Sequence, residues 1–221
     1  LQVEVAVLAD LAAGVRSAAL RFIARHAPED AGRWLGRLIS ATSGEELRAR
    51  GDLRRLLVST LDLIARRGAA FEPVEEALFA LRLAENEPYV DNASSLWVLL
   101  FHPVFDLTHA SLARRLEVIA RRCLTGDPVA RASAVRGLQD LLQRGASVLS
   151  RSEGERPGRL DARCQQEARA ALCALLLRCA ADPGAVVRGA AQGCLLAVAR
   201  RADDLLPYLP DGPELERAME S

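Results

Sequence analysis

The chain contains no lysine, so all 29 of its basic residues are arginine. Because a Walker A loop needs a lysine, and no Gly-x-x-x-x-Gly-Lys-Ser/Thr pattern occurs, the chain itself carries no such nucleotide-binding motif. The 29 acidic residues bring the formal net charge to zero, which leaves no global basic field to attract nucleic acid or an anionic membrane. The arginine bias is typical of a GC-rich genome.

Aromatic residues make up only 4% of the chain, although half of its residues are apolar. A core built from Leu, Ala and Val suits close helix packing better than a sheet, and no stretch sustains the apolar–polar alternation of a strand. No apolar run reaches the roughly 18 residues of a transmembrane helix, and no signal peptide is visible. We therefore expect a cytoplasmic, all-α protein with no membrane partner and essentially no β-structure.

Cysteines are few, odd in number and never spaced as Cys-x-x-Cys. Several of them fall on predicted apolar helix faces. This pattern predicts small core residues in a reducing compartment rather than a disulfide or zinc framework. The five are Cys123, Cys164, Cys173, Cys179 and Cys194.

The most specific pattern in the chain begins at Asp182-Pro183. The Asp182 side chain is expected to cap a helix, with Pro183 at its first position, where the missing N–H costs little. Behind it, apolar residues recur at three- and four-residue steps from Val187 to Val198. A similar opening, Asp127-Pro128, occurs earlier in the chain. It is the weaker match, because Arg131 follows its proline by three residues whereas Arg188 follows Pro183 by five.

The segment from Asp182 resembles the second helix of a HEAT repeat, in which an Asp-Pro opening precedes a Val-Arg pair, here Val187-Arg188, and an Ala-rich face. The resemblance implies that Arg188 reaches the Asp of a neighbouring repeat. Removing the polar stretch 145–159, a predicted flexible loop, brings the two openings within the ~40–47-residue HEAT/armadillo period. We expect a HEAT/armadillo-like α-solenoid of antiparallel helix pairs, forming one domain over residues 1–221. Because Leu1 already lies inside an apolar pattern, we expect a fragment of a longer protein.

Start signals predict most helix boundaries. A break at Gly14, a start at Pro28, a capping box at Ser43 and Glu46, a cap at Asp52 and a start at Pro73 are expected. Asn86, Asp91 and Asn92 are expected to cap or stabilise turns. Residues 105–108 are expected to be a turn, and a helix is predicted over 160–181. A final helical turn or two is predicted within 213–219.

Residues 74–142 carry a second, shorter set of matches. Their order resembles the helical region of large bacterial STAND-type (NLR-like) NTPases associated with phage defence, where it follows the nucleotide-binding module. The resemblance implies a sensor or oligomerisation region, with any NTPase activity outside this chain. The matching stretches are residues 80–87, 91–93 and 100–103, with Thr108, Arg115-Leu116 and Gly126-Asp127-Pro128.

His102, Asp106 and His109 form the one cluster of metal-ligand residue types. On one continuous helix their spacing of four and three residues could hold a divalent metal. Pro103 argues against such a helix, so we favour a structural loop in which Asp106 or Thr108 caps the following helix. No metal, cofactor or catalytic residue is predicted.

Arginines and tryptophans are the candidates for a partner surface, since these residue types dominate binding hot spots. Trp34 and the pairs Arg54-Arg55 and Arg121-Arg122 could form such a surface, whereas Trp97 is expected in the core. Several of the Arg pairs close helices, where cations favour the C-terminal dipole. The sequence therefore predicts a non-enzymatic scaffold or sensor that binds a protein or other domains of its own chain. The alternative is a solenoid whose Arg ridges bind nucleic acid phosphates.

Overall fold

The computed structural model describes residues 13–66, 70–85, 92–106, 108–143 and 158–200, together with Leu209. This part of the chain is helical, as predicted, apart from one two-residue strand pair. The elements are α1 (Ala13–His26), α2 (Pro28–Ser40), α3 (Gly44–Ala49), α4 (Gly51–Ala65), α5 (Phe71–Leu83), α6 (Ala93–Leu99), β1 (Phe105–Asp106), α7 (Leu112–Leu124), α8 (Pro128–Gln143), β2 (Gly158–Arg159), α9 (Ala162–Ala180) and α10 (Ala185–Ala199).

The residue contacts divide the chain into two compact units. The first comprises Leu1–Leu100 and Leu107–Ala110, and the second comprises Phe101–Asp106 and Ser111–Ser221. Each unit has its own buried apolar core.

The first unit is built around a close approach of α2 to α5. Gly32 and Gly36, one turn apart on α2, make this approach possible because they have no side chain. A Cβ added at Gly32 would lie 2.9 Å from the Ala70 Cβ, and one at Gly36 would lie 3.2 Å from the Pro73 carbonyl oxygen. The two glycines therefore set the distance between these helices.

Trp97, on α6, lies in the core of the first unit, as expected, and its side chain is fully buried. Its Nε1–H donates to the Glu75 carboxylate over 2.8 Å, and its ring lies 5.1 Å from the Phe79 ring between centroids. The Arg82 guanidinium carbon lies 4.9 Å from the Trp97 ring centroid. The buried Glu75 thus has a hydrogen-bond donor, which burial of a polar group requires.

In the second unit α8 packs mainly on α10, and α7 packs on α9. β1 pairs antiparallel with β2, with Phe105 opposite Arg159 and Asp106 opposite Gly158. The Leu160 N–H extends this pairing by donating to the Val104 carbonyl oxygen over 2.9 Å. Residues 105–106 are therefore a short strand rather than the expected turn.

Several predicted helix starts are confirmed. α2 begins at Pro28, and Ser43 and Glu46 form the reciprocal capping box before α3. Asn92 caps α6 by accepting the Ser95 N–H. The expected helix over 160–181 is α9, capped by Asp161.

Other start predictions are wrong for local reasons. Gly14 is the second residue of α1 rather than a break before it, and Pro73 is the third residue of α5 rather than its first. Asp52 lies in the first turn of α4, where it suits the helix dipole without a capping bond. Ser111 caps α7, whereas the Thr108 Oγ1 accepts the Ala110 N–H in a local turn. The Asp106 side chain lies outside the described part of the structure, as do Asn86, Asp91, most of 145–159 and the predicted turn in 213–219.

Replacement of Gly32 by Ala tests the close packing of α2 against α5. Ala favours a helix over Gly by about 1 kcal/mol, but the new methyl group would overlap Ala70, and such overpacking costs about 1–3 kcal/mol. We expect Gly32→Ala to lower the free energy of unfolding, measured by urea titration of the helical circular dichroism signal.

Gly189→Ala on α10 is the matched control, because no atom lies within 4 Å of its added Cβ. This variant is expected to gain up to about 1 kcal/mol from helix propensity alone. Equal stabilisation of both variants would contradict the role assigned to Gly32.

Candidate functional site

The turn before α8 follows the predicted pattern. α8 begins at Pro128, and Asp127 accepts the Val129 and Ala130 N–H groups over 3.0 and 2.9 Å. Gly126 has a φ of +95°, a conformation that favours glycine, and lets the chain leave α7. Asp127 therefore satisfies two of the free donors at the helix start.

The turn before α10 differs from its prediction. α10 begins at Ala185, so Pro183 is not its first residue and Asp182 is not its cap. One Asp182 carboxylate oxygen accepts the Gly184 N–H over 2.9 Å, and the other accepts from Arg131 in an ion pair. The carboxylate that the sequence assigns to a helix cap is instead engaged by a cation on α8.

Because α10 begins only at Ala185, Arg131 and Arg188 have the same place in their respective helices. Each is the fourth residue of its helix. Arg131 Nε donates to the Cys123 carbonyl oxygen over 3.0 Å, near the end of α7. Arg188 Nη1 donates to the carbonyl oxygens of Asp182 and Pro183 over 2.9 and 3.1 Å. Both arginines thus bind carbonyl oxygens at or just beyond the end of the preceding helix.

The implied role of Arg188 is therefore filled by a different residue. Arg131, rather than Arg188, reaches the aspartate of a neighbouring turn. The Arg131 and Asp182 side chains are only 15% and 10% exposed, so solvent screens their attraction less than that of surface pairs. Arg131 and Arg188 correspond because each is the fourth residue of its helix. Counting from the proline hides this correspondence, because Pro128 is the first residue of α8 whereas Pro183 precedes α10.

Several effects act on the pKa of the Asp182 carboxyl. Burial alone would raise it, but the hydrogen bonds from the Gly184 N–H and Arg131, together with the positive charges of Arg131 and Arg188, outweigh burial. The pKa consequently lies below its ordinary value. Asp182 is therefore ionised in the folded protein at neutral pH.

The proposed arginine surface is only partly exposed. Arg54 is 4% exposed and donates to the Leu47 and Ala84 carbonyl oxygens, so it is part of the first unit's interior and cannot contact a partner. Arg55 is exposed and pairs with Asp52 on its own helix. Arg121 is exposed, and Arg122 and Trp34 are half-buried.

Many other arginines in the described ranges also pair with carboxylates one turn away. The pairs are Arg33–Asp30, Arg66–Asp62, Arg114–Glu117 and Arg163–Glu167. Such pairs contribute little to stability, but they neutralise the charge locally.

α1 presents an exposed apolar face that the sequence analysis did not identify. Phe22 is 62% exposed, Val15 56% and Ile23 41%, and Ala19 between them is also exposed. The Phe22 ring lies 4.3 Å from that of His26 between centroids. We call Val15, Ala19, Phe22 and Ile23 the α1 apolar face. The spacing of apolar residues in the sequence could not reveal this face, because apolar residues that pack in the core and those that bind a partner recur with the same helical period.

The metal-ligand candidates do not lie on one helix. His102 is buried, and its Nδ1 accepts the Val104 N–H over 3.1 Å, whereas His109 is exposed. The backbone of Asp106 belongs to β1. Among the residues that the structure describes, no three His, Cys, Asp or Glu side chains are placed to hold a metal ion. In the same residues, no helix has the length and apolar character needed to cross a membrane.

Asp182→Asn tests the ion pair through its pH dependence. The folded pKa lies below the unfolded one, so the ionised carboxylate contributes stability above about pH 4, and this contribution disappears as the pH falls through the folded pKa. We expect the variant to be less stable than the parent by about 1–3 kcal/mol at pH 7, and this difference to shrink toward pH 2. Urea midpoints at each pH measure it.

Asp30→Asn is the control, since the Asp30–Arg33 pair is exposed and contributes little. A stability difference for Asp182→Asn that stays constant from pH 7 to pH 2 would refute the assignment.

Compared with known proteins, the chain matches no protein-family model, no curated protein and no solved structure.

Proposed function

We propose that this chain is a non-catalytic helical-repeat module that binds a protein partner, or another part of its own polypeptide, in the cytoplasm. The observation that carries the proposal is the α1 apolar face, with Phe22 at its centre. Exposed aromatic side chains contribute large apolar area with few rotatable bonds, which makes them effective binding anchors. The adjacent Val15 and Ile23 extend the apolar area along one helix.

The packing in the second unit supports a HEAT-like arrangement. α7 packs on α9 as α8 packs on α10, and Arg131 and Arg188 occupy the same position of their helices. Stacked repeats are expected to show similar contacts in successive helix pairs, and these two pairs of helices follow that pattern. Such repeats build extended surfaces that bind partners without catalytic residues.

The ion pairs favour a protein partner over nucleic acid. Arg33, Arg55, Arg114 and Arg163 each pair with a carboxylate on the same helix. A phosphate backbone would have to displace these carboxylates, and counterion release would be correspondingly smaller. The resemblance of residues 74–142 to the helical region of STAND-type NTPases supports a sensing role in a larger chain.

Site-specific photocrosslinking tests the partner surface. With benzoylphenylalanine in place of Phe22, irradiation of cells should yield discrete crosslinked protein species that survive nuclease treatment. The matched control carries the same photoreactive residue at Gln166, an exposed polar position on α9. In a second experiment the photoreactive residue replaces Ile23, and Phe22→Glu is added to this probe. The added substitution should abolish crosslinking, while the thermal midpoint stays nearly unchanged because the Phe22 side chain is largely exposed.

Two results would overturn the proposal. Identical crosslinks from positions 22 and 166 would mean that the α1 apolar face has no specific partner. Crosslinks that disappear with nuclease would favour the nucleic acid alternative.

A further inference from the structure

Cys123 and Cys179 occupy corresponding places in the second unit. Each is the second-to-last residue of its helix, Cys123 on α7 and Cys179 on α9, and these helices pack together. Both side chains are fully buried, and the Cys123 thiol donates a hydrogen bond to the Cys179 sulfur. Two thiols from different helices are thus in direct contact.

The Arg131–Asp182 ion pair lies next to these thiols. Arg131 Nε binds the Cys123 carbonyl oxygen, and the Asp182 N–H donates to the Cys179 carbonyl oxygen over 3.2 Å. A hydrogen-bonded path therefore runs from the end of α7 through Arg131 and Asp182 to the end of α9. It connects the two helix ends, and the positive charge of Arg131 acts on the Cys179 thiol.

The other fully buried or nearly buried cysteines have a different environment. Burial raises the pKa of Cys173 and of Cys194 to about 11, which keeps both protonated and unreactive. The pKa of Cys179 is instead lowered, first by the hydrogen bond from Cys123, which outweighs burial, and then by the positive charge of Arg131. Of Cys173, Cys179 and Cys194, Cys179 is therefore the one most readily converted to the nucleophilic thiolate.

We propose that Cys123 and Cys179 form an oxidisable dithiol, which a hydroperoxide converts into a disulfide joining the ends of α7 and α9. The Cys179 thiolate attacks the distal peroxide oxygen, so that an S–O bond forms, the O–O bond breaks, and the leaving alkoxide or hydroxide takes up a proton. The sulfur is oxidised to a sulfenic acid and the peroxide is reduced to an alcohol or water. The Cys123 thiol then attacks the Cys179 sulfur, the S–S bond forms, and water leaves.

Because both thiols are buried, the peroxide reaches Cys179 through local opening of the helix ends. Helix ends open at lower free energy than the core. The Arg131–Asp182 pair opposes this opening, so the reaction rate depends on the ion pair. The same pair that orders the turn before α10 thereby controls access to the dithiol.

Peptide mapping of the folded chain tests the proposal without requiring a core substitution. The experiment uses the Cys164→Ser background, because Cys164 is only half-buried and would react by itself. After treatment with hydrogen peroxide and alkylation in denaturant, we expect one linked pair of peptides, 123 with 179. Cys173 and Cys194, the matched internal controls, should remain alkylated. Circular dichroism verifies that the fold is retained.

Two variants test single steps of the proposed reaction. Cys123→Ala should prevent the disulfide, and because it also removes the hydrogen bond that lowers the pKa of Cys179, the Cys179 sulfenic acid that dimedone traps should form more slowly than in the parent. Asp182→Asn should increase the rate of disulfide formation several-fold, because it weakens the ion pair with Arg131 that opposes opening of the helix ends. The proposal is wrong if oxidation affects Cys173 and Cys194 as fast as Cys179, or if no 123–179 linkage forms in the folded protein.

Discussion

The ion pair between Arg131 and Asp182 is the long-range contact that determines how the turn before α10 is built. Two charges that are largely removed from water are tolerated only when each is paired and hydrogen-bonded. The Asp182 carboxylate meets this condition with the Gly184 N–H on one oxygen and Arg131 on the other. Arg131 meets it by also binding the Cys123 carbonyl oxygen. One side chain on α8 therefore connects the end of α7 to the turn that precedes α10.

The first unit achieves its packing by different means, which follow from the composition. With few aromatic residues, the helices are brought together through small residues, and Gly32 and Gly36 allow α2 to approach the backbone at Pro73. Trp97 is the exception, and its indole N–H needs the buried Glu75 as an acceptor. Close approach of helix backbones and a buried polar pair thus accompany the contact between the Trp97 and Phe79 rings in this core.

Local patterns predicted the helical class and several helix starts well. The capping box at Ser43 and the Asp127-Pro128 opening depend on residues within one turn, so the sequence alone contains the needed information. Asp182 carries the same local signal, but its outcome depends on Arg131, which is 51 residues away. A cap and a long-range ion pair compete for the same carboxylate, and only the packing of α8 on α10 decides between them.

The same limit explains the arginine and cysteine assignments. The side chains of adjacent helix residues point about 100° apart, so Arg54 faces the core and Arg55 faces solvent. The Arg-Arg pair in the sequence does not show which of the two arginines is buried. The prediction that the cysteines are small core residues accounts for Cys173 and Cys194, whose pKa values are raised by burial. It is incomplete for Cys179, because a neighbouring thiol and a guanidinium from other helices change its chemistry. The helix packing that buries Cys179 therefore also supplies the positive charge of Arg131 that helps to lower its pKa.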